Sequence, residues 1–174
     1  MRTFQFTLPL LACAVVVMAL DKPSAPTADY RAIMFANASL VDLAAGGAGA
    51  GGDSNVDLRV KPAAGSQTLR ELADAKDYEG LAKGTQALIA NYEKLNAFWA
   101  PKKVEDAANL IKAGMQAASD LETAAQAKSD KDIDAAQSAI EKTCRDCHTL
   151  HRVIILTDSS FQIRIGSNTN TATN

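Results

Sequence analysis

Apolar residues recur at helical spacings along most of the chain and predict four helices. The first helix is expected from residue 28, where apolar side chains three, four or seven positions apart make one face: Tyr30, Ile33, Met34, Val41 and Ala45. Asp29 is expected to cap its start. The stretch AAGGAGAGG at residues 44–52 has too little side-chain mass for a core helix, so it is expected to end this helix as a flexible connection.

A second helical region is predicted from Thr68 to about Phe98. Thr68 and Glu71 have the spacing of a capping box. Gly80 and Gly84 weaken the early part of the region, so a break is expected near Asp77. The buried face is predicted to consist of large apolar residues: Leu81, Leu88, Ile89, Tyr92, Leu95, Phe98 and Trp99.

Two further helices complete the pattern. Pro101 suits the first turn of the third helix, whose apolar positions are Val104, Ala108, Ile111, Met115, Ala118 and Leu121. Ser129 and Asp132 start the fourth helix, which has one stripe made of Ile133, Ala136, Ile140, Cys144, Cys147 and His148. Four alanine-rich helices predict an all-α fold with close packing in a four-helix bundle.

The N-terminus has the features of an export signal over residues 1–19. A positive start precedes an uncharged apolar run from Leu8 to Leu20, which is too short to cross a bilayer as a helix. Small residues around Ala19 favour cleavage there. A lipid on Cys13, within Leu10-Leu11-Ala12-Cys13, is the minor alternative. Residues 20–28 are expected to form an extended leader, and the mature protein is expected in the periplasm with no stable membrane span.

Charge and cysteine usage narrow the function. The chain carries a formal net charge of −2 and a sequence pI of about 5.7, and nothing in it is basic enough to bind nucleic acid. Outside the motif described next, it offers no paired carboxylates, activated nucleophile or phosphate loop, so no enzymatic activity is predicted. Of the three cysteines, Cys13 falls in the segment expected to be removed, which leaves no disulfide framework.

The remaining two cysteines belong to the motif Cys144-Arg145-Asp146-Cys147-His148, which fits the C-x-x-C-H pattern for covalent attachment of one c-type haem. Each thiol can add to one vinyl group of haem, and the neighbouring imidazole reaches the iron.

Three other interpretations of the motif fit the sequence less well. A zinc site that added His151 is disfavoured, because one straight helix spreads its first and last ligands by roughly 10 Å, whereas zinc needs its ligands at about 2.0 to 2.3 Å. A redox dithiol usually lies beside a strand in a βαβ pattern, whereas this motif lies late in a helical pattern with no parallel-sheet signal before it. A simple disulfide leaves His148 without a role. His151 is expected to be exposed.

Arg152 follows His148 by four residues, and with this spacing the last helix resembles that of the cytochrome c′ family. Members of this family are antiparallel up-down four-helix haem proteins. The matching residues are Cys144, Cys147, His148 and Arg152, and Tyr30-Arg31 resembles the opening of the family's first helix. The likeness covers residues 28–152 and implies a cytochrome bundle at residues 29–152. The glycine-rich loop and everything after Arg152 depart from the family.

The tail at residues 153–174 has no assigned role. An apolar run at residues 153–156 is followed by Phe161, Ile163 and Ile165, which alternate as in a strand. Packing on the bundle, pairing with another chain and a loose tail all remain open.

The resemblance implies that the sixth position of the iron decides the function. A low-spin branch of the family fills it with a methionine from the first helix. An up-down bundle puts Met34 level with His148, whereas Met115 lies roughly 15 Å along the axis of the third helix from the end that faces the haem. We therefore expect single-electron transfer with His148 and Met34 as axial ligands. The alternative is a five-coordinate protein that binds NO or CO behind Phe35, four residues after Arg31.

Other residues are expected around the haem. Arg31 and Arg152, with Lys102 and Lys103, lie near the end of the bundle where propionates would sit, and Trp99 is expected to form a wall together with Phe98. Redox proteins are the expected partners, and the resemblance allows a homodimer. An interaction bundle with an accidental motif is the remaining hypothesis.

Overall fold

The structure, a computed structural model, describes residues 24–41, 67–155 and 160–165. The predicted signal segment, Cys13, the glycine-rich stretch at residues 44–52 and most of the tail lie outside the described residues.

Five α-helices and one β-hairpin make up the described part of the chain. The helices are α1 (Ala28–Val41), α2 (Leu69–Asp74), α3 (Tyr78–Trp99), α4 (Glu105–Ala127) and α5 (Asp130–His151), and a 3₁₀ turn (Ala100–Lys102) follows α3. The strands are β1 (Arg152–Ile155) and β2 (Ser160–Ile163). No helix within these described ranges is long and apolar enough to cross a membrane.

The four long helices form the predicted antiparallel bundle. Tyr30 at the start of α1 contacts Phe98 and Trp99 at the end of α3. Asp106 at the start of α4 faces His151 at the end of α5. Neighbouring helices therefore run in opposite directions, and one end of the bundle collects the start of α1 and α4 and the end of α3 and α5. The prediction of an all-α four-helix bundle is confirmed.

Local signals before α3 behave as predicted. Thr68 Oγ1 accepts from the backbone N–H of Glu71 at 3.1 Å, and the Glu71 carboxylate accepts from the Thr68 N–H at 2.8 Å, which completes the capping box. The expected break near Asp77 is confirmed: α2 ends at Asp74, and the Asp77 side chain caps α3 by accepting from the N–H of Gly80.

Two predicted helix starts are wrong. The side chain that caps α1 belongs to Thr27, which accepts from the Tyr30 N–H at 3.2 Å, because the helix begins at Ala28 and Asp29 is already inside its first turn. Pro101 lies in the 3₁₀ turn and not in the third long helix. Lys103 then takes a left-handed conformation with φ of 55°, which interrupts the helix, so α4 starts only at Glu105.

The core follows the predicted stripes with one shift. On α3 the buried positions include Leu81, Leu88, Tyr92, Leu95 and Trp99, whereas Ile89 and Phe98 are partly buried. On α4, Ala107 is fully buried and Ala108 is exposed, against the prediction. Ala107 and Ala108 lie four and three positions before the buried Ile111, and the helix buries the position four residues away.

The described part of the tail packs on the bundle as an antiparallel hairpin, which is one of the three alternatives. Arg152 of β1 lies opposite Ile163 of β2. Ile163 also exchanges two backbone hydrogen bonds with Ser24, of 2.9 and 2.8 Å, and its side chain is buried in the core. The strand predicted from alternation is confirmed at Phe161 and Ile163, and Ser24 of the leader pairs with this strand.

Candidate functional site

A cavity opens between the helices near this end of the bundle. The cleft and its mouth together hold about 520 Å³ of empty space. Each of the four long helices contributes to its lining, which consists of Met34, Asn37, Ala38, Tyr92, Leu95, Trp99, Leu110, Ile111, Thr143, Cys144, Cys147 and His148. Most of this surface is apolar, so the cavity favours a large hydrophobic group with a few polar attachment points.

The C-x-x-C-H motif lies on α5 and forms one wall of the cavity. Cys144, Cys147 and His148 stand at i, i+3 and i+4, which places all three on one face of the helix. Both thiols are free. Burial raises the pKa of Cys147 to about 12 and also raises the pKa of Cys144. Both groups are therefore neutral thiols at neutral pH.

Tyr92 from α3 supports the first cysteine. Its hydroxyl oxygen lies 3.6 Å from the sulfur of Cys144, and burial raises the pKa of Tyr92 far above its ordinary value. Gly114 of α4 makes room for this ring, because a Cβ at that position would lie only 2.5 Å from it. The glycine thus allows α3 and α4 to approach closely beside the motif.

The surroundings of His148 lower the basicity of its imidazole. Burial, and secondarily the positive charge of Arg152, lower the pKa of His148 to about 4. The imidazole is therefore neutral at pH 7, with a lone pair available for coordination. Arg152, which starts β1, is itself partly buried, and burial lowers the pKa of its guanidinium group.

Met34 lines the same cavity from α1. Its side chain is partly buried and packs against the core, and it is followed on the cavity wall by Asn37 and Ala38. Met115 is also partly buried, but it belongs to α4 and does not line the cavity. The structure thus brings Met34, and not Met115, together with the haem motif.

Several residues named as candidates lie outside the lining. Phe35 is 50% exposed on α1, and Arg31 is exposed on the same helix. Phe98 contacts the ring of Tyr30 at 4.4 Å between centroids and has the ammonium group of Lys102 above its ring at 3.6 Å. Trp99, by contrast, is almost fully buried and does line the cavity.

His151 is buried, so the expectation that it would be exposed is wrong. Its side chain is 3% exposed and its ring lies 4.8 Å from that of Trp99. Its Nδ1 is 3.1 Å from the carbonyl oxygen of Arg164, and its Nε2 is 3.5 Å from a carboxylate oxygen of Asp106. The hairpin that covers the end of α5 is what removes this side chain from solvent.

The residues of the cavity fit a c-type haem. Two thiols and an imidazole from α5 share a mostly apolar cavity with the thioether of Met34. Asn37 is buried in the same wall, and no group of the protein donates a hydrogen bond to its Oδ1. Sequence reasoning treated Tyr92 as core and did not name Asn37, although its position three residues after Met34 could have identified it.

One comparison with known proteins found a match. The family model described as Cytochrome C′ matches residues 43–152, a range that includes α2 to α5 with the whole motif and ends at Arg152. No curated protein and no solved structure matches the chain. Because the match spans more than half of its length, the chain belongs to the cytochrome c′ family.

Proposed function

We propose that the protein is an exported cytochrome that transfers single electrons, with one haem attached through Cys144 and Cys147 and ligated by His148 and Met34. Membership of the cytochrome c′ family implies a covalently bound c-type haem and either electron transfer or gas binding. The observation that carries the choice is that Met34 and His148 line one cavity from different helices.

The side chains of the cavity have separable roles in this proposal. When bound, haem supplies the one-electron chemistry of its iron. Cys144 and Cys147 hold it in place, and His148 offers a neutral imidazole at pH 7 because its pKa is about 4. Met34 adds a thioether, a ligand that raises the reduction potential relative to harder ligands. Leu95, Trp99 and the other apolar side chains exclude water.

The gas-binding alternative has less support. It requires an apolar side chain at the distal face, and Phe35 is half exposed and lies outside the cavity lining.

Arg31, proposed near the propionates, is exposed on the same helix, whereas Arg152 is partly buried beside His148. Of these two cations, Arg152 is the better supported contact.

The test is the absorption spectrum of the purified, haem-loaded protein in both oxidation states. The proposal predicts low-spin spectra for the unmodified protein and a high-spin spectrum for Met34→Ala. Met115→Ala is the matched control, because it removes a partly buried methionine that does not line the cavity, and it should remain low-spin.

A high-spin spectrum in the unmodified protein, with rapid uptake of carbon monoxide by the reduced form, would contradict the proposal. If Phe35→Ala then accelerated this uptake, the five-coordinate alternative would replace it.

The remaining parts of the proposal concern location and partners. Removal of residues 1–19 by signal peptidase would deliver the protein to the periplasm, and N-terminal sequencing of the mature chain tests this cleavage. Redox proteins are the proposed partners, and a homodimer through the outer helix faces fits the family.

A further inference from the structure

One polar side chain of α1 that lines the cavity has a buried amide oxygen without a hydrogen-bond partner. Asn37 is 6% exposed, and its Oδ1 is buried and unpaired. Among the described residues, the only other buried side-chain nitrogen or oxygen with this property is Nε2 of His151, which does not line the cavity. An unpaired amide oxygen is unfavourable inside a protein and is uncommon in stable folds.

The other polar side chains of the wall already have partners within the protein. The Tyr92 hydroxyl pairs with the sulfur of Cys144. Trp99 donates from Nε1 to the hydroxyl of Tyr30 at 3.4 Å, and Thr143 donates from Oγ1 to the carbonyl of Ile140 at 2.8 Å. Outside the haem motif, the amide of Asn37 is therefore the polar group of the lining whose oxygen has no partner within the protein.

The position of Asn37 points to Met34 as its partner. The two residues are three positions apart on α1, and side chains at this spacing are neighbours on a helix; both line the cavity. A half-turn about the last side-chain torsion exchanges the amide oxygen and nitrogen, so the amide can present a donor at the same place. A thioether sulfur is a weak acceptor, and one lone pair remains free when the other is directed at iron.

We propose that Asn37 is a positioning residue for Met34: its amide N–H donates to the thioether sulfur and holds that sulfur in place for coordination. This inference rests on the proposed ligation by Met34. The hydrogen bond withdraws electron density from the sulfur, which favours reduced iron, and it opposes displacement of the thioether by another ligand.

The experiment uses haem-loaded protein and adds imidazole as a competing ligand to the oxidised form. Asn37→Leu keeps the size of the side chain but removes the donor. Imidazole should displace Met34 about two- to tenfold more readily in this variant, the range that the loss of one hydrogen bond implies. Its reduction potential should also fall, and Asn37→Ala should behave in the same way if the leucine variant does not fold.

Asn91→Leu is the matched control, since Asn91 is a buried asparagine on α3 that does not line the cavity. It should leave imidazole affinity and potential unchanged. The role of Asn37 would be overturned if both Asn37 variants kept the imidazole affinity and reduction potential of the parent protein, or if the control shifted equally. A low-spin spectrum of the parent protein would still support ligation by Met34. A high-spin parent protein would overturn both proposals.

Discussion

At the scale of single residues, the environment of His148 sets the protonation state of its imidazole. A C-x-x-C-H motif can be recognised in the sequence, but the pKa of its imidazole depends on burial and on Arg152, and both result from the folded bundle. The two thiols are likewise neutral because they are buried. The motif therefore predicts which atoms bind, whereas the fold determines their protonation.

The haem-free protein should lose stability as the pH falls through the range between the two pKa values of His148. The imidazole has a pKa of about 4 in the folded chain and an ordinary value of 6.5. Between these values the unfolded chain binds more protons, so the free energy of unfolding falls with decreasing pH and levels off below about 4. The full difference is on the order of 3 kcal/mol.

Urea unfolding of the haem-free chain across this pH range measures the effect. His148→Gln should remove that part of the pH dependence. The prediction would be wrong if the variant and its parent lost stability in parallel between the two pKa values.

His151 illustrates what local sequence cannot predict. Its position one turn beyond Cys147, without an obvious partner, favoured an exposed side chain. In the fold, β2 pairs with β1, which follows α5, and the carbonyl oxygen of Arg164 just after β2 lies within hydrogen-bond distance of Nδ1 of His151. The distance of thirteen residues between these two groups has no signature in helical periodicity, so only the tertiary structure reveals the contact.

At the scale of elements, three lysines end their helical segments in a left-handed conformation. Lys76, Lys103 and Lys128 have φ values of 56°, 55° and 54°. Glycine is the usual residue at such positions because it has no Cβ that clashes with the backbone. Each of these turns therefore carries some backbone strain.

Replacing Lys128 with glycine should stabilise the protein by about 0.5–1 kcal/mol, because it relieves strain at the C-cap of α4. Lys112→Gly is the matched control: it removes the same charge from an exposed position inside α4 and should destabilise by a similar amount. Thermal unfolding of both variants compares them directly. Destabilisation by Lys128→Gly as large as that of the control would contradict this account.

The C-terminal hairpin should contribute to the stability of the whole bundle. Ile163 is 3% exposed, so Ile163→Ala should cost about 2–4 kcal/mol through lost contacts and a cavity. Ile165 is partly buried at the end of the same segment, and Ile165→Ala should cost less. Urea unfolding followed through helical circular dichroism provides the comparison, and equal costs would argue against a docked hairpin.

At the scale of the whole molecule, the sequence predicts the bundle well because the helical stripes agree with their caps and turns. Thr68, Asp77 and Ser129 each mark a helix start that the structure contains. Errors arise at the start of α1, where Thr27 and not Asp29 is the cap, and at Pro101, where Lys103 interrupts the helix. The sequence names Met34 and His148 as candidates, and both line the cavity. The unpaired amide oxygen of Asn37, in contrast, depends on which other polar groups are already paired.

The electron paramagnetic resonance spectrum of the purified, oxidised protein tests the central claim most directly, because it reports the spin state of the iron and hence whether both axial positions are filled. Ligation by His148 and Met34 predicts a low-spin ferric signal. A high-spin ferric signal from the same sample would contradict it.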